Sequence, residues 1–216
     1  MDAGLPGSER AIATALGGCK RGWSRIKLIV VTHAHIDHAG NSARLRALSG
    51  APISAYQGDL DYYMRQAPMT SCATGVFGRL FFSTGLIERA CQPFEPDFLF
   101  DGAQQFDVAS YGVSGWILPP PGHTHGSLCI ALDDGQALVG DLLSFEILLG
   151  GVALTGRAKR PPFEHNPALV AVALERLAAA SATNFYMGHG DPLPRGEVLR
   201  HARNLSRGFL QTGPRC

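Results

Sequence analysis

The sequence from residue 32 to residue 38 reads Thr32-His33-Ala34-His35-Ile36-Asp37-His38. It follows an apolar run at residues 26–31, which predicts a buried strand. Side chains two residues apart point the same way at the end of an extended strand, whereas they do not share a face of a helix. His33 and His35 can therefore bind one cation together, and Asp37 and His38, past the turn, can face a second.

The residue types in this stretch indicate which cations it would bind. Imidazole and carboxylate groups suit zinc and its first-row neighbours. A His-rich surface loop is the alternative interpretation. Three histidines and one aspartate placed this closely behind a strand favour the metal site.

Three further ligand-type side chains occur later in the chain, each beside glycine and after a short apolar run. They are His123 in Gly122-His123-Thr124, Asp141 in Gly140-Asp141, and His189 in Gly188-His189-Gly190. Glycine allows the backbone to turn sharply and to approach closely. Each of the three, taken singly, is typical of a turn. Their order after the first cluster favours a shared site.

In this order the motifs resemble those of the metallo-β-lactamase superfamily: His-x-His-x-Asp-His, then Gly-His-Thr, then Gly-Asp, then Gly-His. The similarity extends from Asp2 to about His201. The resemblance implies an α/β fold, a four-layered αββα sandwich, with two zinc ions, or iron or manganese in their place. The ligand roles it implies are His33, His35 and His123 for the first metal, Asp37, His38 and His189 for the second, and Asp141 as a bridge.

The N-terminal motif departs from the family pattern. Asp2-Ala3-Gly4 resembles the Asp-x-Gly that precedes the first helix, whose aspartate usually supports the metal ligands from behind. Family members normally carry two or more strands before it, whereas Met1 stands directly in front of it here. We therefore expect a sheet without the usual first N-terminal strands. An unpaired edge can pair with another chain, so we expect a homodimer or higher assembly that covers it.

We expect one domain covering residues 1–216, because the candidate ligands extend from His33 to His189 and must converge on one site. Hydrophobic residues make up 45% of the chain, which supports a sizeable core, and the net charge of +1 argues against nucleic-acid binding. No apolar run approaches the ~18 residues of a membrane span. The five cysteines are irregularly spaced, so we expect reduced thiols and a cytoplasmic location.

Periodicity and turn residues predict alternating helices and strands. The predicted helices cover residues 6–16, 41–49, 59–64, 167–180 and 195–207. The predicted strands cover residues 26–31, 53–56, 98–100, 105–109, 114–118, 127–132, 136–140 and 184–187. This alternation indicates a layered α/β domain.

Two segments fall outside the regular pattern. Residues 67–98 are rich in apolar and aromatic side chains. They predict either a cover that accepts an apolar substrate group, or a helical pair buried in the core or in a subunit interface. Residues 145–163 contain Arg157, Lys159 and Arg160, which either bind an anionic substrate or lie on a solvated loop. The sequence assigns no substrate-binding residue.

The implied chemistry is hydrolysis. Two divalent ions about 3.5–4 Å apart lower the pKa of a shared water and polarise a carbonyl or phosphoryl oxygen. Asp37 would orient the resulting hydroxide as well as bind metal. His125, two residues after His123, is a candidate for orienting a ligand or moving a proton. The chain contains neither a Gly-x-Ser-x-Gly nucleophile motif nor a Walker motif.

The substrate class follows in part from Asp141. A bridging aspartate resembles the lactonase, thioesterase and phosphodiesterase branches, whereas dedicated β-lactamases usually carry cysteine or serine there. The best-known lactonases have a tyrosine three residues later, where this chain has Ser144. We expect cleavage of a small-molecule lactone, ester, thioester or amide, with weak β-lactam hydrolysis as a side activity. The alternatives are a catalytically weak metal-binding scaffold or regulatory subunit, and a phosphodiesterase.

Overall fold

The computed structural model describes residues 1–70, 72–85, 91–144 and 156–212, with side chains described up to residue 208. The helices are α1 Glu9–Gly18, α2 Ile36–Ala39, α3 Ser42–Ser49, α4 Leu60–Tyr63, α5 Gly75–Phe82, α6 Pro167–Ala179 and α7 Arg195–Thr212. The strands are β1 Ile29–Val30, β2 Ile53–Tyr56, β3 Phe98–Phe100, β4 Phe106–Asp107, β5 Gly115–Leu118, β6 Cys129–Leu132, β7 Gln136–Gly140, β8 Asn184–Met187 and β9 Leu193–Pro194.

The strands form two sheets. β1, β2 and β3 make a parallel three-stranded sheet in that order. β4 to β9 make a six-stranded sheet in chain order, antiparallel except for the parallel pair β7–β8. Because β7 and β8 run in the same direction, Asp141 and His189, which follow them, lie at the same edge of the sheet.

Three buried apolar clusters fill the spaces between the layers. The first packs α1 and α3 against the three-stranded sheet and includes Leu45 and Ile53. The second lies between the two sheets and includes Val30 and Ile117. The third packs α6 and α7 against the six-stranded sheet and includes Leu174. The order of helix, sheet, sheet and helix confirms the predicted αββα sandwich.

The strand predicted at residues 26–31 is shorter in the structure, where β1 has two residues. The amide of Thr32 donates to Oδ1 of Asp2 at 2.8 Å, and its carbonyl accepts from the amide of Leu128 at 2.7 Å. The amide of Val31 still donates to the carbonyl of Ser54 of β2 at 3.0 Å, whereas Thr32, the next residue, is held by Asp2 and Leu128. The chain that follows carries the histidines into a loop between the sheets.

Most other predicted elements agree with the structure to within a few residues. The short α2 and β9 were not predicted, and for α5 a helical pair was one of the two interpretations of its segment. α5 lies in the irregular segment 67–98, of which residues 71 and 86–90 lie outside the described part. Residues 145–155 of the second irregular segment also lie outside it.

The start of α6 is fixed beside the loop that carries His123. Oδ1 of Asn166 accepts hydrogen bonds from the amides of Ala168 and Leu169, both at 3.1 Å, as an N-cap residue does. The amide of Asn166 in turn donates to the carbonyl of Gly122 at 2.8 Å. The helix thereby holds the backbone immediately before His123.

Two further predictions concern the cysteines and membranes. Cys19, Cys91 and Cys129 are free thiols, but Cys72 is disulfide-bonded, so the prediction of reduced thiols is wrong at this position. The cytoplasmic location stays a prediction. Within the described ranges, no helix combines the length and apolar character needed to cross a bilayer.

Candidate metal centre

Three histidine side chains converge beyond the carboxyl end of β1. Nε2 of His33 lies 2.9 Å from Nδ1 of His35, which lies 3.2 Å from Nε2 of His123. All three side chains are buried. A tetrahedral zinc ion with Zn–N distances of about 2.0–2.1 Å places its nitrogens about 3.3 Å apart. The three nitrogens therefore fit a single ion.

A second group lies beside the first and contains Asp37, His38 and His189. Nε2 of His189 lies 3.0 Å from Oδ2 of Asp37, and Nε2 of His38 lies 3.7 Å from the same oxygen. Asp37 and His38 belong to the single turn of α2, whose N-cap is His35, while His189 follows β8. The α2 turn thus places these two side chains beside His189.

Asp141 contacts the second group and also lies near His33 of the first. Its Oδ1 is 3.4 Å from Nε2 of His38, and its Oδ2 is 3.7 Å from Nε2 of His189. Asp141 also forms an overlapping group with His33 and His38. Oδ1 of Asp141 and Nε2 of His38 are both buried and lack a hydrogen-bond partner. Buried polar atoms are normally satisfied, so this facing pair fits a bound cation.

The protonation states suit metal binding. Burial lowers the pKa of His33 well below its ordinary value, that of His35 to about 3 and that of His123 to about 4. These imidazoles are therefore neutral at pH 7, the form that binds metal. Burial opposes ionisation of Asp141, but the charge of His38 outweighs it and keeps the pKa of Asp141 below its usual range. Neutral imidazoles with ionised carboxylates suit a zinc-type divalent ion.

Asp2 and Thr32 hydrogen-bond to the Nδ1 atoms of His38 and His33, one histidine from each group. Oδ2 of Asp2 accepts from Oγ1 of Thr32 at 3.0 Å and from Nδ1 of His38 at 3.0 Å. Because Thr32 gives its only proton to Asp2, its oxygen accepts from Nδ1 of His33, 2.9 Å away. Both histidines thus present Nε2 to the metal groups. Burial disfavours charged His38, but the nearby Asp141 and Asp2 outweigh it and raise the pKa of His38.

A family comparison agrees with this geometry. The model of the metallo-β-lactamase superfamily matches residues 2–189, a range that contains all seven converging side chains. The chain belongs to this superfamily. No match is found among curated proteins.

Solved structures share the superfamily fold along most of the chain. A Cronobacter sakazakii metallo-β-lactamase with a HARLDQ motif is 21% identical, with a TM-score of 0.64 over 97% of this chain and 81% of its own. A metallo-β-lactamase family protein from Thermus thermophilus is 22% identical, with a TM-score of 0.63 over 96% and 68%. TTHA1623, solved in a di-iron-bound form, is 21% identical, with a TM-score of 0.59 over 93% and 85%. Likeness at these identities shows the fold alone.

Gly188 allows the converging side chains to approach one another. A Cβ atom at this position would lie 2.5 Å from Oδ1 of Asp141 and 2.5 Å from Cε1 of His38. Both neighbours belong to the metal centre and cannot move without disturbing it. There is therefore no space for a side chain at position 188, which explains the glycine before His189.

Asp59 is a supporting residue that the sequence did not reveal. Its buried carboxylate accepts from the amide of Ala34 at 2.9 Å, the hydroxyl of Thr124 at 2.9 Å and the amide of Gly126 at 2.8 Å. Ala34 stands between the first two histidines, and Thr124 follows His123. Asp59 therefore ties together the two loops that carry the first metal group. Burial raises its pKa, partly offset by these three donors.

We expect Asp59→Asn to lower zinc affinity by about 10- to 100-fold, the range typical of groups that orient metal ligands. One amide oxygen cannot replace two carboxylate oxygens, and the new NH₂ group faces a donor. Competition with a chromophoric chelator would measure the affinity. Asp61→Asn, at an exposed position two residues away, is the matched control. Unchanged affinity in Asp59→Asn would show that the two loops keep their positions without this carboxylate.

Phe163 and α5 line one side of the centre. The Phe163 ring lies 5.8 Å from the His35 ring and 5.9 Å from the Phe81 ring of α5. On the outer side of α5, Val76 is 74% and Leu80 63% exposed. Burial in the core is therefore excluded for α5, while the substrate-cover and subunit-interface interpretations both fit.

Glu164 follows Phe163 and has an unusual environment. Its side chain is fully buried, Oε2 contacts Nε of Arg160, and Oε1 has no hydrogen-bond partner. Burial raises the pKa of Glu164 to about 7, although Arg160 opposes the shift. Burial prevails because Arg160 is itself 40% exposed and its charge is screened by solvent.

Replacing Glu164 with glutamine should flatten the pH dependence of stability. The folded-state pKa is above the unfolded value of 4.5, so this group's contribution is full below pH 4.5 and is lost as pH rises through about 7. Relative to Glu164→Gln, the wild-type free energy of unfolding should fall by about 3 kcal/mol between about pH 4.5 and about pH 8. Denaturant titrations of both proteins across this range measure the difference. A constant difference would contradict the raised pKa.

His125 is not among the converging side chains. It is exposed, and its ring lies 4.6 Å from the ring of His165, whose Nε2 donates to the carbonyl of Thr70 at 2.9 Å. The amide of His165 also donates to the carbonyl of His123 at 3.1 Å. His125 thus lies at the outer side of the His123 loop, and its catalytic role stays a prediction.

Proposed function

We propose that this protein is a hydrolase with a dinuclear zinc centre that cleaves a small-molecule lactone, ester, thioester or amide. The observation that carries the proposal is the position of Asp141: its two oxygens lie 3.4 Å and 3.7 Å from Nε2 of His38 and of His189, and Asp141 also forms a group with His33 of the first set. His33, His35 and His123 would hold one ion. Asp37, His38 and His189 would hold the other. Bound divalent ions would lower the pKa of water and polarise the substrate oxygen.

Asp37 is the side chain best placed to act on the attacking water. Burial opposes ionisation of Asp37, but its hydrogen bond with His189 and the charge of His38 outweigh it, and the pKa falls to about 2. The carboxylate is therefore ionised at neutral pH and accepts hydrogen bonds only. With 35% of its side chain exposed, it can orient a water that enters from solvent. Solvent can then protonate the leaving group.

A row of aromatic side chains beside the candidate centre supports an apolar group in the substrate. Contacts run from His35 through Phe163 and Phe81 to Phe77, whose ring lies 6.2 Å from that of Phe81. Phe77 is 39% exposed, so this apolar surface extends from the centre to solvent. An acyl chain lying along it would be removed from water without placing an unpaired charge beside the rings.

A chromogenic substrate panel tests the proposal. The panel contains a lactone, a thioester, p-nitrophenyl esters of increasing acyl length, a β-lactam and bis(p-nitrophenyl) phosphate. We expect chelator-sensitive turnover of the carbonyl substrates, with kcat/KM rising with acyl length. Fastest turnover of the phosphodiester would favour the phosphodiesterase alternative. Two bound ions without turnover of any class would favour the scaffold or regulatory alternative.

We also propose that the protein forms a homodimer through the β1 side of the first sheet. β1 occupies an outer position in that sheet. The amide of Asp2 covers the carbonyl of Val30 there at 2.8 Å, so apolar surface beside the strand, rather than free backbone groups, would carry the contact. Near this edge Met1 is 39% and Leu5 52% exposed, which supplies apolar surface for a second copy. Size-exclusion chromatography with light scattering tests this, and a monomer at micromolar concentration would contradict it.

A further inference from the structure

A cavity lies away from the metal centre, between α6 and the six-stranded sheet. Its volume is about 330 Å³, within the usual range of small-molecule sites. Leu118 and Cys129, partners across β5 and β6, line the sheet side, and Leu169 and Val172 line the helix side. The connection 119–121 closes one end. None of the seven metal-centre side chains lines this cavity.

The lining combines apolar surface with a single charge. Leu169 and Val172 are each 42% exposed, so the cavity presents apolar side chains to solvent. Exposed apolar surface is unfavourable in water, and an apolar ligand would remove it from contact with solvent. The polar side chains in the lining are Gln105 and Arg176. Arg176 is exposed and takes part in none of the ion pairs found among the described residues.

We propose that this cavity binds the anion of a free medium-chain fatty acid. The alkyl chain lies between α6 and the sheet, and the carboxylate pairs with Arg176. A guanidinium group matches a carboxylate with two parallel hydrogen bonds, which a neutral head group cannot offer. A single cation in the lining matches a ligand with a single negative charge, and Gln105 adds an amide donor.

The binding experiment is a calorimetric titration of the purified protein with hexanoate, octanoate and decanoate below their micellar concentrations. Each added methylene is expected to tighten binding about threefold to fourfold, so two carbons give about tenfold. Decanol should bind at least about tenfold more weakly than decanoate, because charge-assisted hydrogen bonds are lost. One saturable site per chain is expected.

Variants locate the site. Arg176→Met should weaken decanoate binding about tenfold or more, Arg176→Lys should weaken it less, and Arg203→Met, at an exposed position on α7, should leave it unchanged. Ala173→Phe should abolish binding by filling the cavity. If that variant fails to fold, the double variant Leu169→Gln, Val172→Gln changes only exposed positions and should weaken binding at least about tenfold.

The remaining controls separate this site from the metal centre and from lipid surfaces. Asp141→Asn should bind decanoate as the wild type does, so loss of binding in it would assign the ligand to the metal centre instead. Equal binding in wild type and Arg176→Met, or no dependence on chain length, would overturn the proposal. Binding to phosphatidylglycerol vesicles without binding of free decanoate would also overturn it.

Discussion

Asp141→Asn is expected to lower kcat/KM for carbonyl substrates by about a thousandfold or more while leaving the chain folded. The asparagine side chain would offer one neutral oxygen where the aspartate offers two charged ones, so a bridging contact to one ion is lost. Loss of about 4 kcal/mol of transition-state stabilisation corresponds to that factor. Kinetics on the best substrate of the panel, with circular dichroism to verify folding, measure it.

The control for this variant is Asp191→Asn. Asp191 is exposed and lies two residues after His189, so its substitution removes the same charge without touching the ligand groups. Its kcat/KM should equal that of the wild type. If Asp141→Asn kept more than a tenth of the activity, Asp141 would not bridge catalytic metal ions.

Chelation is expected to abolish turnover and to lower the melting temperature. A ligand present at about a thousand times its Kd stabilises a fold by about 4 kcal/mol. For a chain of this size that corresponds to a shift of roughly 8–16 °C. Differential scanning fluorimetry of the protein before chelation, after it and after zinc is restored measures the shift, and a rate assay follows the same samples.

Recovery on adding zinc is the essential control for chelation. The chelator must be removed before assay, because it would otherwise take up the restored zinc. Turnover that persists in the metal-free protein would contradict the proposed function. An unchanged melting temperature would contradict metal binding by buried groups such as His33 and Asp141.

The fold and the convergence of the seven side chains were predictable because the local sequence pattern indicates both. His33 and His35 are two residues apart behind a strand, and the later Asp141 and His189 each follow a strand at a glycine. Parallel pairing of β7 and β8 then brings those two side chains to one edge. Periodicity likewise predicted most helices and strands, since their buried faces repeat at the expected spacing.

The supporting residues could not be predicted because they act across long sequence separations. Asp59 contacts Thr124, 65 positions later, and nothing in the local sequence distinguishes it from exposed Asp61. The disulfide of Cys72 was missed because cysteine spacing does not report distances in space. Thr32, which leads from this strand to the histidines, is held by Asp2, 30 residues earlier. Tertiary contacts override the local pattern in each case.

Metal content is the most direct test of the dinuclear centre. The purified protein would be stripped with chelator, incubated with excess zinc, dialysed and analysed by inductively coupled plasma mass spectrometry. We expect about two zinc ions per chain in the wild type and about one or fewer in Asp141→Asn. Less than about half an ion per chain in folded wild-type protein would contradict a metal centre built from these seven side chains.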